Sequence, residues 1–457
     1  MSTLTPLDSV FLLLEDVDQR VGTGIGVVAT IEGAPPSRAE FADQVAARIR
    51  AHPRLRQRLH RTLADLVAPQ WVPDEQFDLD HHLRRHALPA PGDRASLEEL
   101  VAAVAAERID RDHPLWRCHV VECPGSAQWV LILLAHHSMV DGLSGVELLR
   151  SFCDDPPAVE HRPVQAAGIA PFRLLRDALR LPRTAVGAVA HALPVLLPVL
   201  GPGSGTSLNG RIGRQRRYRA VRVPLADVRD IGAAFDATVN DVALAAVAAG
   251  LGALLDERGE RADRVRILAP VSVRGTGEDL GNRVSVMLPR LPVGTAPAVE
   301  QLAWIRGETR AHKASGEVGG VGSLIRWTER LPFAAVAPAA RLLCRYPQRG
   351  VAGLVTDVFG PAGTLRFAGR TVLDIVAVPP IAMRLRVGVA VLSYGGTLSF
   401  GVLADHDSVP DLDVLADNIE AAIGHLRSAA AWAPRRMEQP VPLPATEPAR
   451  ADAGARP

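Results

Sequence analysis

QWVLILLAHHSMVDGLSGVELLRSF, from Gln128 to Phe152, joins an unbroken apolar run to a helical pattern through a short polar loop. The run WVLILL is typical of a strand that is buried on both faces. SGVELLRSF has the spacing of a helix, so residues 136–142 are predicted to form a strand-to-helix loop. Strand followed by helix is the repeating unit of an α/β fold, and ligands in such folds bind at the carboxyl ends of the strands.

The same alternation extends upstream of this stretch. GIGVVATIEG predicts a strand over residues 24–33, and Ser37 followed by Glu40 predicts the capping box of a helix over residues 37–59. RCHVVEC and QWVLILLAHH predict two paired strands around a turn at residues 124–126. The first part of the chain is therefore predicted to be an α/β unit.

The alternation resumes downstream. YRAVRVPL predicts a strand, LADVRDIGAAF predicts a helix, and an alanine-rich segment predicts a long helix over residues 240–255. A chain of 457 residues exceeds one ordinary core, so we expect two domains. We place the first over residues 1–155, a proline-rich connector over 156–214 and the second over 215–433. The tail from 434 to 457 lacks apolar periodicity and is predicted to be disordered.

Charge and cysteine usage restrict the classes of partner and compartment. The formal net charge is +1, which provides no general attraction for nucleic acid. The four cysteines have neither zinc-site spacing nor the density of a disulfide scaffold. The first residues, MSTLTPLDSVFLLLED, lack the basic start of a signal peptide. We therefore expect a cytoplasmic protein.

Two neighbouring segments of the connector bear on membrane association. The apolar segment over residues 184–203 approaches spanning length, but His191, Pro194 and Pro198 interrupt it. Just upstream, FRLLRDALRLPR over residues 172–183 has the pattern of a basic amphipathic helix. Such a helix is consistent either with a peripheral membrane or lipid-droplet contact or with a connector packed on its own protein.

His136 and His137 are the candidate chemical centre, and three interpretations compete for them: packing, a metal site or a base. Adjacent strand residues point to opposite faces, and no HExxH or CxxC supplies further ligands, so no metal site is expected. The second pair, His81 and His82, lacks a following acid and glycine and is interpreted as structural or exposed. His137 is closer to the loop and is the better candidate for a general base.

Several stretches resemble one enzyme family. The segment HHSMVDG, residues 136–142, resembles the HHxxxDG motif of the CoA-dependent acyltransferase superfamily. The similarity extends over nearly the whole chain through seven further stretches: TPLDSVFLLLE, FDLDHHLRRHALPAPGD, DHPLWRCHVVE, SLNGRIGRQRR, ATVNDVALAAVAAGL, GNRVSVMLPRLP and LSYGGTLSFGVLADHDSVPDL. Together they resemble the bacterial wax ester synthase/diacylglycerol acyltransferase family.

The resemblance implies both a fold and a reaction. The fold would have two chloramphenicol-acetyltransferase-like α/β domains, with mixed sheets flanked by helices and an active-site tunnel between them. The reaction would join the acyl group of an acyl-CoA to a diacylglycerol or a long-chain alcohol and release CoA. Acyl-CoA would be a co-substrate, and no cofactor is expected. His137 would take the proton of the acceptor hydroxyl as general base and return a proton to the departing sulfur.

The resemblance also implies roles for the loop around this base. His136 and Gly142 would support the loop. Asp141 would shape it through a salt bridge, with Arg274 or Arg117 as the partner.

Other positions match family motifs, and each also has a simpler interpretation. Pro114, Leu115 and Trp116 would lie near the active-site entrance or merely pack. Asn240 and Asp241 would support the site or cap a helix. Ser393 is a candidate donor to the developing oxyanion.

A basic stretch, RIGRQRRYR, follows the connector. Its residues Arg211, Arg214, Arg216 and Arg217 are candidate contacts for CoA phosphates or lipid headgroups, unless the stretch is a solvated loop. Two other functions stay open: a condensation-type acyltransferase acting on another acceptor, and a non-catalytic lipid-binding paralogue.

Overall fold

The computed structural model describes residues 2–61, 65, 67–139, 142–154, 201, 205–272, 284–314, 333–358, 360–361 and 363–432. The predicted basic helix over residues 172–183 and the predicted tail over 434–457 lie outside the described residues. The apolar segment over 184–203 is described only at Gly201.

Helices and strands alternate along both halves of the described chain. The helices are α1 (Pro6–Val17), α2 (Arg38–Ala51), α3 (Leu79–His82), α4 (Arg94–Ala106), α5 (Gly142–Phe152), α6 (Leu225–Phe235), α7 (Val239–Glu257), α8 (Ala298–Ala314), α9 (Phe333–Arg345) and α10 (Leu412–Trp432). The strands are β1 (Ser2–Thr3), β2 (Gly24–Glu32), β3 (Gln57–His60), β4 (Gln70–Pro73), β5 (Leu83–Ala87), β6 (Trp116–Glu122), β7 (Gln128–His136), β8 (Arg216–Pro224), β9 (Arg264–Ser272), β10 (Val284–Met287), β11 (Arg290–Pro292), β12 (Gly353–Val358), β13 (Arg366–Phe367), β14 (Arg370–Val378), β15 (Val387–Tyr394) and β16 (Thr397–Asp405).

Helix α2 shows how local sequence sets its two ends. Ser37 is the N-cap, and the predicted capping box with Glu40 is present. The predicted continuation to residue 59 is wrong, because the helix ends at Ala51, before Pro53. Proline disfavours a helical conformation in the residue before it and has no N–H for the helix ladder. The chain continues as a short 3₁₀ turn and then as β3.

The first sheet has the strand order β13-β14-β2-β7-β6-β5. Its centre is β7, in which every residue from Trp129 to His136 is buried, as the continuous apolar run predicts. The predicted hairpin is confirmed, because β6 pairs antiparallel with β7 around the turn containing Gly125, whose φ is +75°. The edge pair β5 and β6 is parallel, so the sheet is mixed as predicted.

The second sheet has the order β10-β9-β12-β15-β16-β8, with β11 paired to β9. Strand β12 runs parallel to both β9 and β15, whereas the pairs β15–β16 and β16–β8 are antiparallel. Helices α6, α7, α8 and α10 contribute buried apolar side chains to the core of this sheet. The predicted strand at YRAVRVPL and the two predicted helices after it are confirmed, with α7 running from Val239 to Glu257.

Two strands cross from the second half of the chain into the first sheet. Strand β14 pairs with β2, and β13 pairs with β14, although both follow residue 365. The second sheet is bonded to β14 as well: Tyr218 donates to the carbonyl of Ala377 at 3.2 Å, and Ser399 donates to that of Ile375 at 2.9 Å. The predicted linear division into two domains does not anticipate this exchange.

By length and composition, α7 is the one described helix that is suited to span a membrane. However, 72% of its apolar window is buried inside the protein. Helix α7 packs against α6, α8 and α10 as the central core helix of the second half.

Candidate active site

The predicted strand-to-helix loop follows β7 directly. His136 is the last residue of β7, residues 137–139 form a turn, and α5 begins at Gly142. Three backbone hydrogen bonds fix this turn. The N–H of His136 donates to Leu115 O at 2.9 Å, that of His137 to Thr23 O at 3.0 Å, and that of Met139 to His136 O at 2.8 Å.

His136 is fully buried, and its ring is bonded at both nitrogens. Its Nδ1 accepts from the N–H of Ser138 at 3.1 Å, which places the ring proton on Nε2. Nε2 lies 2.9 Å from Thr23 Oγ1 and 3.3 Å from Glu15 Oε1. His136 therefore braces the loop from the core, and its predicted role in supporting a catalytic loop stays a prediction.

Glu15 is the buried anion behind His136. It lies on α1, and its Oε2 is 2.7 Å from Arg111 and 3.3 Å from Arg108, while its Oε1 accepts from the N–H of Thr23 at 2.7 Å. Burial by itself raises the pKa of Glu15. The hydrogen bond to His136, the charge of Arg111 and the hydrogen bond from the N–H of Thr23 outweigh burial and hold that pKa far below its usual value. Glu15 is therefore ionised.

Sequence reasoning missed Glu15 as a site residue. The available signal was its place in the apolar segment FLLLED, where an acid shares a helix with residues of the core. Its partners Arg108 and Arg111 come more than ninety residues later, so their pairing follows from the fold.

His137 is half-buried, in contrast to its neighbour. Its ring is stacked on Phe11 of α1, with ring centroids 3.8 Å apart and an interplanar angle of 16°. Ser138 donates its hydroxyl to Asp8 O at 2.7 Å, which fixes the next residue of the turn to the same helix. The imidazole of His137 is thus held in one orientation while part of it stays accessible.

Leu115 and Trp116 are fully buried and Pro114 is buried. Trp116 donates its indole N–H to Leu55 O at 2.9 Å. His82 stacks on the indole with centroids 4.4 Å apart and donates Nδ1–H to Trp116 O at 2.8 Å. These contacts support the packing interpretation of residues 114–116. They also confirm that His82 is structural. The motif contacts the loop through the carbonyl of Leu115, which accepts from the N–H of His136.

The predicted salt bridge of Asp141 stays a prediction, because Asp141 and Arg274 lie outside the described residues. The alternative partner, Arg117, is 2.6 Å from Glu107 Oε2 and also donates to Arg108 O.

Asn240 and Asp241 lie in the first turn of α7, but neither is the N-cap. Thr238 is the N-cap, and Asp241 completes a capping box with it. The second carboxylate oxygen of Asp241 accepts from Thr309 of α8 at 2.7 Å. Asp241 therefore fastens one helix to the next, whereas the predicted capping role of Asn240 is wrong.

Ser393 is half-buried near the end of β15 and lies opposite Leu398 of β16. Since strand residues alternate between faces, Ser393 shares a face with Val389 and Val391, which belong to the core of the second half. Its role as oxyanion donor stays a prediction.

The basic stretch divides into exposed and structural arginines. Arg211 and Arg214 are exposed, and Arg217 is half-buried with its Nε donating to His406 O at 3.0 Å. Arg216 is 5% exposed and donates to the carbonyls of Gly213, Gln215 and Arg20. Because its donors are used inside the protein, the prediction of Arg216 as a phosphate contact is wrong.

Comparisons with known proteins agree over both halves of the chain. Residues 4–243 match the family model described as the wax ester synthase/diacylglycerol acyltransferase catalytic domain, and residues 280–427 match its C-terminal domain. The probable diacylglycerol O-acyltransferase tgs1 of Mycobacterium tuberculosis (strain ATCC 25618/H37Rv) is 40% identical over 444 residues, covering 93% of this chain and 96% of that protein. A putative diacylglycerol O-acyltransferase of the same strain is 34% identical over 437 residues, covering 93% and 91%.

Solved structures extend the similarity to the fold. The wax ester synthase/diacylglycerol acyltransferase from Marinobacter aquaeolei VT8 superposes with a TM-score of 0.68 at 25% identity, covering 94% of this chain and 100% of that one. The first condensation domain of the calcium-dependent antibiotic synthetase shares the fold, with a TM-score of 0.61 at 16% identity and coverage of 94% and 96%. The mixed two-domain fold predicted from the sequence is thereby confirmed, and the chain belongs to the wax ester synthase/diacylglycerol acyltransferase family.

Proposed function

We propose that this protein transfers the acyl group of an acyl-CoA to the free hydroxyl of a diacylglycerol, giving triacylglycerol and CoA. Long-chain alcohols, which would give wax esters, are the second acceptor class. The observation that carries the proposal is the half-buried His137 in a turn fastened at Leu115 O, Thr23 O and Asp8 O. A base held in this way at the end of a central strand is suited to direct attack by one substrate on the other.

The proposed reaction needs one base and no covalent enzyme intermediate. His137 takes the proton of the acceptor hydroxyl, and the oxygen attacks the thioester carbon. The carbon–sulfur bond then breaks, and the proton passes from His137 to the sulfur of CoA. Acyl-CoA is a co-substrate in this scheme, and no cofactor takes part. Ser393 is the proposed donor to the oxyanion; its support is the family resemblance, since its strand position puts it on the face of Val389 and Val391.

Diacylglycerol is proposed as the main acceptor. The support is that the two relatives at 40% and 34% identity are both named diacylglycerol O-acyltransferases. The matched structure from Marinobacter is named for both activities, so its name supports either acceptor.

A cytoplasmic location with peripheral binding to a lipid surface is part of the proposal. The four cysteines are free thiols, which is consistent with a reducing compartment. At the end of α9, Leu342 is 72% exposed and Tyr346 is 55% exposed, and Arg345 and Arg349 are exposed beside them. Exposed apolar side chains next to arginines are typical of helices that bind anionic lipid interfaces.

Helix α9 also lies close to the candidate base. Its residues Phe333 and Ala337 pack on Leu13 of α1, the helix whose Phe11 stacks on His137. A lipid surface at α9 would therefore lie one helix away from His137.

The deciding experiment measures release of CoA thiol from palmitoyl-CoA with dioleoylglycerol or hexadecanol as acceptor. We expect acceptor-dependent release by the wild type and at least a hundredfold loss in His137→Ala. His425→Ala, at an exposed position on α10, is the matched control and should keep full activity. The same circular dichroism spectrum in all three proteins shows that they are folded.

The outcomes separate the alternatives. No release by folded wild type with either acceptor contradicts the proposal and favours another acceptor or a lipid-binding role. Higher release with hexadecanol contradicts the preference for diacylglycerol. Vesicle flotation tests the lipid contact: Leu342→Asp should lower binding to anionic vesicles, whereas Leu373→Asp, at a 41% exposed position on β14, should not.

A further inference from the structure

A second cluster of chemically active side chains lies apart from His137. His81 of α3 lies next to Asp110 and His113, which precede β6. One ligand atom from each of the three residues lies within 4.8 Å of the others. The rings of His81 and His113 have centroids 4.0 Å apart and are tilted by 35°. Both imidazoles are half-buried, and Asp110 is exposed.

A fourth acid, Asp74, lies behind this cluster. It is only 8% exposed, and its Oδ2 is 3.7 Å from Nδ1 of His113. That oxygen accepts no hydrogen bond from any residue that the structure describes, whereas Oδ1 accepts from the N–H of Gln76 at 3.1 Å. A carboxylate placed against one nitrogen of a histidine orients the other nitrogen toward a metal.

Charged residues of both signs surround the cluster. Asp74 and Asp110 supply two carboxylates next to two imidazoles. The cations that act on His81 are Arg84 and Arg117, of which Arg84 is exposed and Arg117 is paired with Glu107. The cluster therefore brings two carboxylates to two imidazoles, and one of these two arginines already has a carboxylate partner.

We propose that His81, His113 and Asp110 bind a divalent transition-metal ion of the Zn²⁺ class, with Asp74 orienting His113 from behind. Nitrogen and oxygen ligands in this ratio suit Zn²⁺ and its neighbours in the first transition row. Ligand atoms about 2.0–2.1 Å from a tetrahedral zinc ion lie roughly 3.4 Å apart. The three side chains would have to close by up to about 1.4 Å, and water would take the fourth position.

Such an ion would act on the frame of the active site. It would join α3 to the turn that leads into β6. His113 is followed directly by Pro114, and Leu115 O then accepts the backbone hydrogen bond of His136. The ion would thus stabilise the segment that supports the turn of His137, with no part in the acyl transfer itself.

The test uses full-length protein treated with a chelator and then dialysed. Co²⁺ and Zn²⁺ are added separately, and binding is followed by the visible spectrum of Co²⁺, by metal analysis after desalting and by the melting temperature. We expect one equivalent of metal per chain and a rise in melting temperature. His81→Ala and His113→Ala should lose that equivalent and the rise.

Two further variants guard against misfolding and non-specific binding. Asp110→Asn changes an exposed side chain, so it should fold normally and weaken binding at least tenfold, as should Asp74→Asn. His86→Ala, in the separate His86–His119 pair on the same sheet, should bind as the wild type does. The proposal is overturned if the wild type keeps no metal, or if Asp110→Asn and His113→Ala bind as tightly as the wild type.

Discussion

The candidate base and its neighbour have the same residue type and opposite environments. His136 is enclosed and bonded to Ser138, Thr23 and Glu15, whereas His137 is half-buried on Phe11. Alternation along a strand predicts this division. It does not predict the ionised carboxylate of Glu15 behind His136, because Glu15 is distant in sequence.

Replacing Glu15 should affect both stability and turnover. Glu15→Gln keeps a side chain of the same shape but removes the charge that His136, Arg108 and Arg111 face in the core. We expect a loss of about 2–3 kcal/mol in the free energy of unfolding, since the buried Thr23 and His136 lose a charged acceptor, Arg108 loses this ion pair and Arg111 keeps only Asp16. We also expect kcat to fall about tenfold through disorder of the turn. Urea unfolding and CoA release measure the two effects.

Glu107→Gln is the matched control for this substitution. Glu107 also pairs with an arginine, Arg117, but its side chain is 59% exposed. The change should cost less than about 1 kcal/mol. Equal effects of the two substitutions would show that burial of Glu15 adds nothing.

Asp357 on β12 gives a pH dependence of stability. Burial raises the pKa of Asp357 to about 6. The folded protein therefore binds this proton more tightly than the unfolded chain, and the resulting stabilisation is present below about pH 4 and is lost as the pH rises through about 6. Asp357→Asn should accordingly increase the unfolding free energy by about 2 kcal/mol at pH 7.5.

The difference between Asp357→Asn and the wild type should stay near its full size at pH 6, shrink below pH 6 and fall to about a third of that size at pH 4.5. Urea unfolding at pH 4.5, 6 and 7.5 measures it. A difference that stays constant across this range would contradict a raised pKa at Asp357.

At the scale of elements, α7 and α8 are fastened by one buried carboxylate. Asp241 closes the capping box of α7 and accepts from Thr309 of α8. Thr309→Val removes the donor and leaves a buried carboxylate oxygen without it, at a cost of about 1–3 kcal/mol. Thr309→Ser keeps the hydroxyl and should cost clearly less. Thermal unfolding of both variants decides whether the hydroxyl or the methyl group matters more.

Elements with a strong local period were predictable, and long-range partners were not. The apolar run of β7, the capping box at Ser37 and the spacing of α6 and α7 each carry their structure in neighbouring residues. The predicted capping role of Asn240 is wrong because Thr238 and Asp241, on either side of it, form the capping box. The burial of Arg216 depends on carbonyls from residues 20, 213 and 215, a combination that local pattern does not contain.

The candidate site was predictable to the same extent. The place of the histidine pair at the end of β7 and the buried state of His136 follow from the strand pattern, although His136 ends the strand where the loop was predicted to begin. Glu15, Thr23 and Phe11 come from the start of the chain and reach the loop only through tertiary packing. The His81, Asp110 and His113 cluster was missed because its members come from two separate segments.

At the scale of the whole molecule, the two sheets touch at their backbones. A Cβ atom on Gly401 of β16 would lie 1.7 Å from Ala377 O of β14. Gly401→Ala should therefore force the sheets apart, at a cost of about 3 kcal/mol or with loss of soluble protein. Gly424→Ala on α10, where an added Cβ meets nothing within 4 Å, should instead stabilise the protein by about 0.5–1 kcal/mol. Differential scanning fluorimetry on both variants would reveal opposite signs; the same sign in both contradicts close packing at Gly401.

The contact at Gly401 belongs to a wider attachment of β14. Besides pairing with β2, this strand receives hydrogen bonds from Tyr218 and Ser399, and its Asp374 lies 2.7 Å from Arg222. The two halves are therefore joined by a shared strand and not merely by a surface between finished domains.

The crossing of β14 has a consequence for biosynthesis. Translation proceeds from the first residue, so β2 and β7 leave the ribosome more than two hundred residues before β14. Until then β2 is an open edge with apolar side chains and unpaired peptide groups, which is a template for intermolecular pairing. Most of the chain must be synthesised before that edge is covered. We therefore expect the first half to require holding chaperones during synthesis and to aggregate when it is made alone.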